Sequence, residues 1–256
     1  MANQSGIRLI TRGDDMGAFQ AGNQAIISAY EYGILRNASI MMPAPHIQQA
    51  IALAKQVPDL CLGLHITLTS EWNSPRWGPI AAPEQVTSLL DQEGFFFRSS
   101  DDLFKNGVIL DELLLEARAQ LALARAWNLN IRYMDEHMGI GWLFSDSEDR
   151  RFSHALQLLA HQEGLIWHQD LALQPLYCNT AGDLQSLLQN ISAGDYVLIT
   201  HPAYDNEEMQ QVTGGNSPDA GQMAQERDND RQMLCDPGVL QIIQDRAIIL
   251  RRYDEC

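Results

Sequence analysis

Cysteine is scarce and scattered in this chain: Cys61, Cys178, Cys235 and Cys256 stand far apart, with no C-x-x-C spacing. A thiolate metal site is therefore unsupported, and Cys61, in an apolar run, is expected to pack as a small hydrophobe. Basic residues are also few, 17 Lys and Arg against 33 Asp and Glu, for a net charge of −16. Phosphate neutralisation needs clustered cations, so nucleic acid is excluded as a partner, and an anionic membrane surface would be repelled. No apolar stretch approaches the roughly 18 residues that a membrane span needs. The opening residues MANQSGIRLI lack the basic and apolar regions of a secretory signal, so a cytoplasmic location is expected. No G-x-S-x-G elbow is present, which argues against serine acyl transfer. Glycine-rich nucleotide loops are absent too.

What remains is an ordinary globular balance. Apolar residues make up 45% and charged residues 20% of 256, enough for one large α/β unit that needs no covalent staple. Gly6–Thr11 is a short apolar run with β-branched residues, ending at the polar RGDDMG. Helical spacing follows over 20–34, then a strand over 39–42, a helix over 45–57 that stops before Pro58, and a strand over 60–68. The segment 70–105, rich in Pro, Gly, Ser and aromatics, reads as a long functional loop. Residues 110–127 form the clearest amphipathic helix. Further strands are expected over 131–134, 165–167, 196–200 and 247–251, and further helices over 150–162, 183–190, 222–234 and 237–244. The stretch 204–221 reads as a second long loop. Strands alternating with helices imply one domain over 1–256 with a mainly parallel sheet, either barrelled or open.

In both architectures reactive side chains sit where strands end. Asp14 and Asp15 follow the first strand, His65 lies near the end of the third, Asp135 and His137 follow the fourth, and His201 follows YVLIT. Each alone has a plain explanation: paired acids cap helices or make turns, and a histidine in LGLHITL can be a hydrogen-bonded core residue. Their arrival from four separate strands points to one site. One Asp oxygen with two imidazoles makes a three-ligand set that leaves a coordination position open for water. A second carboxylate can take a proton from that water, and an imidazole can protonate a leaving group. The parts fit metal-assisted hydrolysis of an amide or ester. His46, His154, His161 and His168 lie on or beside helices or in a late loop, and read as structural. Trp72, Trp77, Phe95, Phe96, Phe97 and Trp142 either stack on a sugar ring or pack their loops onto the domain.

The same segments resemble the YdjC-like family of carbohydrate deacetylases. Its D-D-x-G motif reads DDMG here (Asp14 to Gly17), and its G-L/M-H segment reads GLH (Gly63 to His65). Its L-D-S-H is similar to MDEH (Met134 to His137), and its late H-P to HPAYDN from His201. Its Arg-containing helix is similar to ERDNDRQML from Glu226. The resemblance implies a distorted (β/α) barrel-like fold and one divalent metal ion, zinc or magnesium, held by Asp15, His65 and His137. It implies Asp14 as base and His201 as acid or substrate contact, with Asp135, Trp142 and Arg227 touching substrate or supporting the ligands. Removal of an acetyl group from an N-acetylated mono- or oligosaccharide is the implied reaction, in a possible homodimer. A hydrolase of another amide or ester, and a carbohydrate-binding protein without activity, are the alternatives. The chain departs from the family's pattern in two places: Arg12-Gly13 stands where Asn-Ala is usual, and Met138, Gly139 and Gly141 replace further histidines after His137.

Overall fold

In the computed structural model of the chain, residues 6–139, 151–215 and 219–256 are described. Eight strands alternate with nine α-helices among them. In chain order these are β1 (Ile7–Met16), α1 (Gln20–Tyr32), β2 (Asn37–Ile40), α2 (Ile47–Ala54) and β3 (Cys61–Ile66). Next come α3 (Ser100–Lys105), α4 (Leu110–Ala126), β4 (Ile131–Glu136), α5 (Arg151–Gln162), β5 (Ile166–Trp167) and β6 (Gln174–Leu176). The chain closes with α6 (Ala181–Asn190), β7 (Gly194–Thr200), α7 (Glu207–Gln210), α8 (Gln222–Leu234), α9 (Pro237–Asp245) and β8 (Ile249–Arg251).

Every ladder is parallel, in the order β5-β4-β3-β2-β1-β7-β6. β8 pairs with Arg8–Ile10 of β1, along the edge whose later residues pair with β2. Asn37 splices that junction: its amide donates to the carbonyls of Thr11 and Arg251, each at 3.0 Å. The outer strands β5 and β6 are consecutive in the chain and do not pair. A flat sheet would hold them about 29 Å apart, six gaps of ~4.8 Å. The seven Cα steps from Trp167 to Gln174 reach at most about 25 Å. The sheet therefore curls into an incomplete barrel, the distorted (β/α) architecture that the family resemblance implies.

Side chains alternate across each strand, which divides the core in two. One face of the sheet packs against the helices through a continuous cluster that includes Leu9, Leu62, Leu64, Met134 and Leu198. On the other face Ile10, Cys61, Tyr133, Val197 and Tyr253 fill the bottom of the bowl, with Tyr133 stacked on Tyr253 at 4.1 Å. Stepping two residues along four strands from that floor leads to Arg12, Gly63, Asp135 and Ile199, and two more to Asp14, His65, His137 and His201. The period of the strands thus stacks an apolar floor, a middle level that carries Arg12 and Asp135, and a reactive rim.

Gly63 must be glycine at that middle level. A Cβ there would lie 2.2 Å from the ring of Tyr133, its register partner on β4.

The helices start where side-chain acceptors stand ready. Ser99, Thr180, Asn206 and Asp236 each accept a hydrogen bond from the backbone N–H three residues on, at α3, α6, α7 and α9. The two expected long loops each carry a short helix, α3 in one and α7 in the other. Strand β6 has no counterpart in the sequence reading. Pro175 removes a backbone donor, which only an edge strand tolerates, and β6 is an edge. Strand β1 runs five residues further than expected, through both aspartates. Among the described residues no helix is long and apolar enough to cross a membrane.

Candidate active site

A cavity of about 850 Å³ opens over the rim of the bowl, lined by Arg12, Asp14, Asp15, His65, Glu71, His137, His168, His201 and Arg227 among others. Asp14 and Asp15 do not follow β1 but belong to it, at an irregularity between Gly13 and Met16. Asp15 takes a left-handed conformation, φ 62°, which Asp tolerates better than most residues. This turn sends the two neighbouring carboxylates to different partners.

Asp14 is gripped by Arg12 at both oxygens, 2.7 and 2.8 Å. The same guanidinium reaches Asp135 Oδ2 at 2.9 Å and the Tyr253 hydroxyl at 3.3 Å. Arg12, Asp14 and Asp135 are all buried, so the charges meet in a poorly solvated place. Asp135 also accepts from Ser39 Oγ at 2.8 Å and lies 2.9 Å from His65 Nδ1. Burial opposes its ionisation, but Arg12 and His65 outweigh that and hold its carboxyl well below the usual range.

Asp15 presents one oxygen to Arg227, whose Nη2 donates at 2.6 Å. Arg227 in turn lies over Trp72, 5.3 Å from the ring centre. The other oxygen, Oδ1, is buried without a hydrogen-bond partner. His137 Nδ1 stands 3.0 Å from it and His65 Nε2 3.5 Å, neither aligned to donate. A buried carboxylate oxygen and two ring nitrogens that converge without bonding one another are placed as ligands to a shared cation are. The three ligand atoms lie within 4.8 Å of one another. The residues present therefore fit a divalent ion. A second grouping, Asp14, His65 and Asp135, meets the same distance limit, but both of its carboxylates are already ion-paired with Arg12.

Burial disfavours charge on both rings, yet Asp135 and Asp14 outweigh it and raise His65 to about 10. For His137, Glu71 and Asp15 outweigh burial in the same way, to about 9. For Asp15 itself, burial is overcome by Arg227 and His137, and its carboxyl is held well below the usual range.

His201 lines the cavity from the end of β7, and its backbone N–H donates to Asp230 Oδ2 at 2.7 Å. Burial raises the Asp230 carboxyl despite that bond. The structure thus brings Asp14, Asp15, His65, His137, His201 and Arg227 to one cavity, with Asp135 directly beneath. Trp142 lies outside the described residues. Trp72 and Trp77 are buried and packed edge to face at 5.2 Å, so they serve mainly to seat their loop, though Trp72 also lines the cavity.

Two functional positions were not expected. Glu71 accepts from His137 Nε2, 3.0 and 3.1 Å from its two oxygens, and nothing local in TLTSEWN announces that long-range contact. His168, read as structural, lines the cavity just beyond β5, where burial and then Arg12 lower it to about 4. The strand-end rule that found the other histidines applies to it equally. His46, His154 and His161 stand apart: His161 pairs with Asp170 at 2.7 Å and His46 with Glu208 at 3.4 Å.

Comparison with known proteins agrees with this geometry. The chain is 27% identical to a carbohydrate deacetylase of Thermoanaerobacter pseudethanolicus, over 96% of this chain and 97% of that one. It is also 27% identical to a carbohydrate deacetylase of Brevibacillus brevis, over 97% and 99%. A crystal structure from Enterococcus faecalis V583, provisionally assigned to cellobiose-phosphate cleavage, superposes with a TM-score of 0.81 at 22% identity, covering 97% of this chain and 98% of that one, and shares the fold. The family model described as YdjC-like protein matches residues 8–146, more than half of the chain. On that match the chain belongs to the YdjC-like family.

Proposed function

We propose that this protein is a metal-dependent hydrolase that removes the acetyl group from an N-acetylated mono- or oligosaccharide. The observation that carries the reading is Asp15 Oδ1, buried, unbonded and faced by two imidazole nitrogens on the floor of an open cavity. Full-length likeness to proteins named carbohydrate deacetylase supplies the substrate class.

Asp15, His65 and His137 would hold the ion. Two imidazoles and one carboxylate suit zinc, manganese or cobalt better than magnesium, which prefers oxygen alone. A bound dication supplies Lewis acidity, polarising the acetyl carbonyl and making water a better nucleophile near neutral pH. The chain's own groups do the rest. Asp14, fixed by Arg12, keeps a second lone pair on each oxygen and accepts the water's proton. His201, just past the end of β7 on the strand beside β1, lines the same cavity and donates a proton to the departing nitrogen. The liberated sugar amine, an ammonium in water, leaves a cavity whose lining includes Glu226 and Asp230. Met138 and Ile199, both partly exposed on the lining, offer apolar contact to a sugar face.

The test is acetate release from a panel of N-acetylated sugars, with and without chelator, for the parent protein and His65→Ala. The proposal expects activity that chelation and His65→Ala each abolish. Full turnover by the metal-stripped variant, or hydrolysis confined to amides that carry no sugar, would refute it.

A further inference from the structure

The two histidines that face Asp15 are held from behind by opposite ring nitrogens. His65 turns Nδ1 to Asp135, at 2.9 Å, and presents Nε2 to Asp15. His137 does the reverse. Its Nε2 lies 3.0 and 3.1 Å from the oxygens of Glu71, and its Nδ1 lies 3.0 Å from Asp15 Oδ1. Asp135 stands on strand β4, but Glu71 comes from the long segment after β3, so a strap rather than the barrel delivers it.

That strap is tied down at three consecutive residues. The Glu71 carbonyl accepts the Gly215 N–H at 3.1 Å, Trp72 bridges to Gly214, and the Asn73 N–H donates to the Thr213 carbonyl at 2.8 Å. Gly214 has φ 108°, and a Cβ on it would press within 3.0 Å of the Glu71 carbonyl oxygen. Glu71 is only 5% exposed. Its carboxylate is therefore a fixed acceptor behind one ring.

We infer that Glu71 is a positioning residue: it fixes His137 with the proton on Nε2 and the Nδ1 lone pair aimed at the Asp15 site. The inference rests on the proposed metal reading. A neutral imidazole has one lone pair, and whichever nitrogen donates elsewhere leaves the other free to ligate. Removing the acceptor lets the ring place its proton on Nδ1 or rotate, and either change removes a ligand. Partners of this kind change metal affinity by about 10- to 100-fold.

Zinc is titrated calorimetrically, against a competing chelator, into metal-free parent protein, Glu71→Gln and Glu71→Ala. Glu71→Ala should bind about 10- to 100-fold more weakly. Glu71→Gln should stay within a few-fold of the parent, because its amide oxygen still accepts from Nε2–H. Ring-nitrogen NMR of the zinc-loaded parent should show His137 ligating through Nδ1 and His65 through Nε2. Glu71→Ala binding as tightly as the parent overturns the inference. So does Glu71→Gln binding as weakly as Glu71→Ala, since charge rather than orientation would then be the contribution. Ligation of zinc through His137 Nε2 in the parent overturns it even if Glu71→Ala does not fold. A parent that takes up no zinc, manganese or cobalt refutes the metal reading first, and the inference with it.

Discussion

Zinc added to the metal-free protein at pH 7 should displace about two protons from the site. The number follows from the charges gathered around Asp15. Arg12, Arg227, His65 and His137 face Asp14, Asp15, Glu71 and Asp135. Burial works against charge on the rings, but the carboxylates prevail and raise His65 to about 10 and His137 to about 9. Without metal, both rings are therefore protonated at neutral pH, and four positive groups meet four negative ones. A dication bound through neutral imidazoles restores the same balance with the two protons gone. Protons thus compete with the metal, and apparent affinity should climb with pH. The rise should be about a hundredfold per pH unit below pH 9, where two protons leave, and about tenfold per unit between 9 and 10. In the metal-free protein the sign is opposite. The stability that the charged rings contribute is complete below their ordinary value of 6.5, and is lost as pH rises through 9 and 10. Calorimetry in buffers of different ionisation enthalpy measures the proton count directly. Zinc binding that releases no protons and has the same affinity at pH 6 and pH 8 would refute the reasoning.

Asp14→Asn should lower kcat by about 10²- to 10⁴-fold while leaving zinc affinity within a few-fold, because the base is lost and the ligands stay; steady-state kinetics beside the zinc titration checks both. Arg12→Leu strands two buried carboxylates and should cost about 3–5 kcal/mol. In a chain of this size that lowers the melting temperature by about 6–20 °C, measured by thermal denaturation of metal-free protein. Gly63→Ala should destabilise by about 1–3 kcal/mol, since the new methyl lands on the Tyr133 ring; a denaturant midpoint equal to the parent's would contradict the packing.

The fold was legible where strands are apolar and helices periodic: α8 has the boundaries its pattern implies, and α4 differs by one residue. It was illegible where polar residues are satisfied only by the tertiary structure. Arg12, Asp14 and Asp15 read as a loop because charge is normally solvated. In the bowl Arg12 pairs with Asp14 and Arg227 pairs with Asp15, and the sheet continues through them. The strand-end rule located His65, His137 and His201 because the topology, more than any local pattern, decides where those ends meet. It reached His168 too, but a helix and a loop nearby offered an easier reading. Glu71 could not be found that way. Its contact with His137 depends on how a segment of more than thirty residues folds back over the barrel, and side-chain spacing carries no record of that.

Asp15 joins two demands in one residue, a carboxylate for chemistry and a backbone turned to φ 62°. Asn tolerates that conformation, whereas alanine or a β-branched residue resists it. Exchanging Asp15 for alanine would therefore disturb the path of the chain as well as delete a ligand, and the two losses would be read together. Asp15→Asn keeps the turn and removes only the charge, so this position admits few replacements that leave the main chain undisturbed.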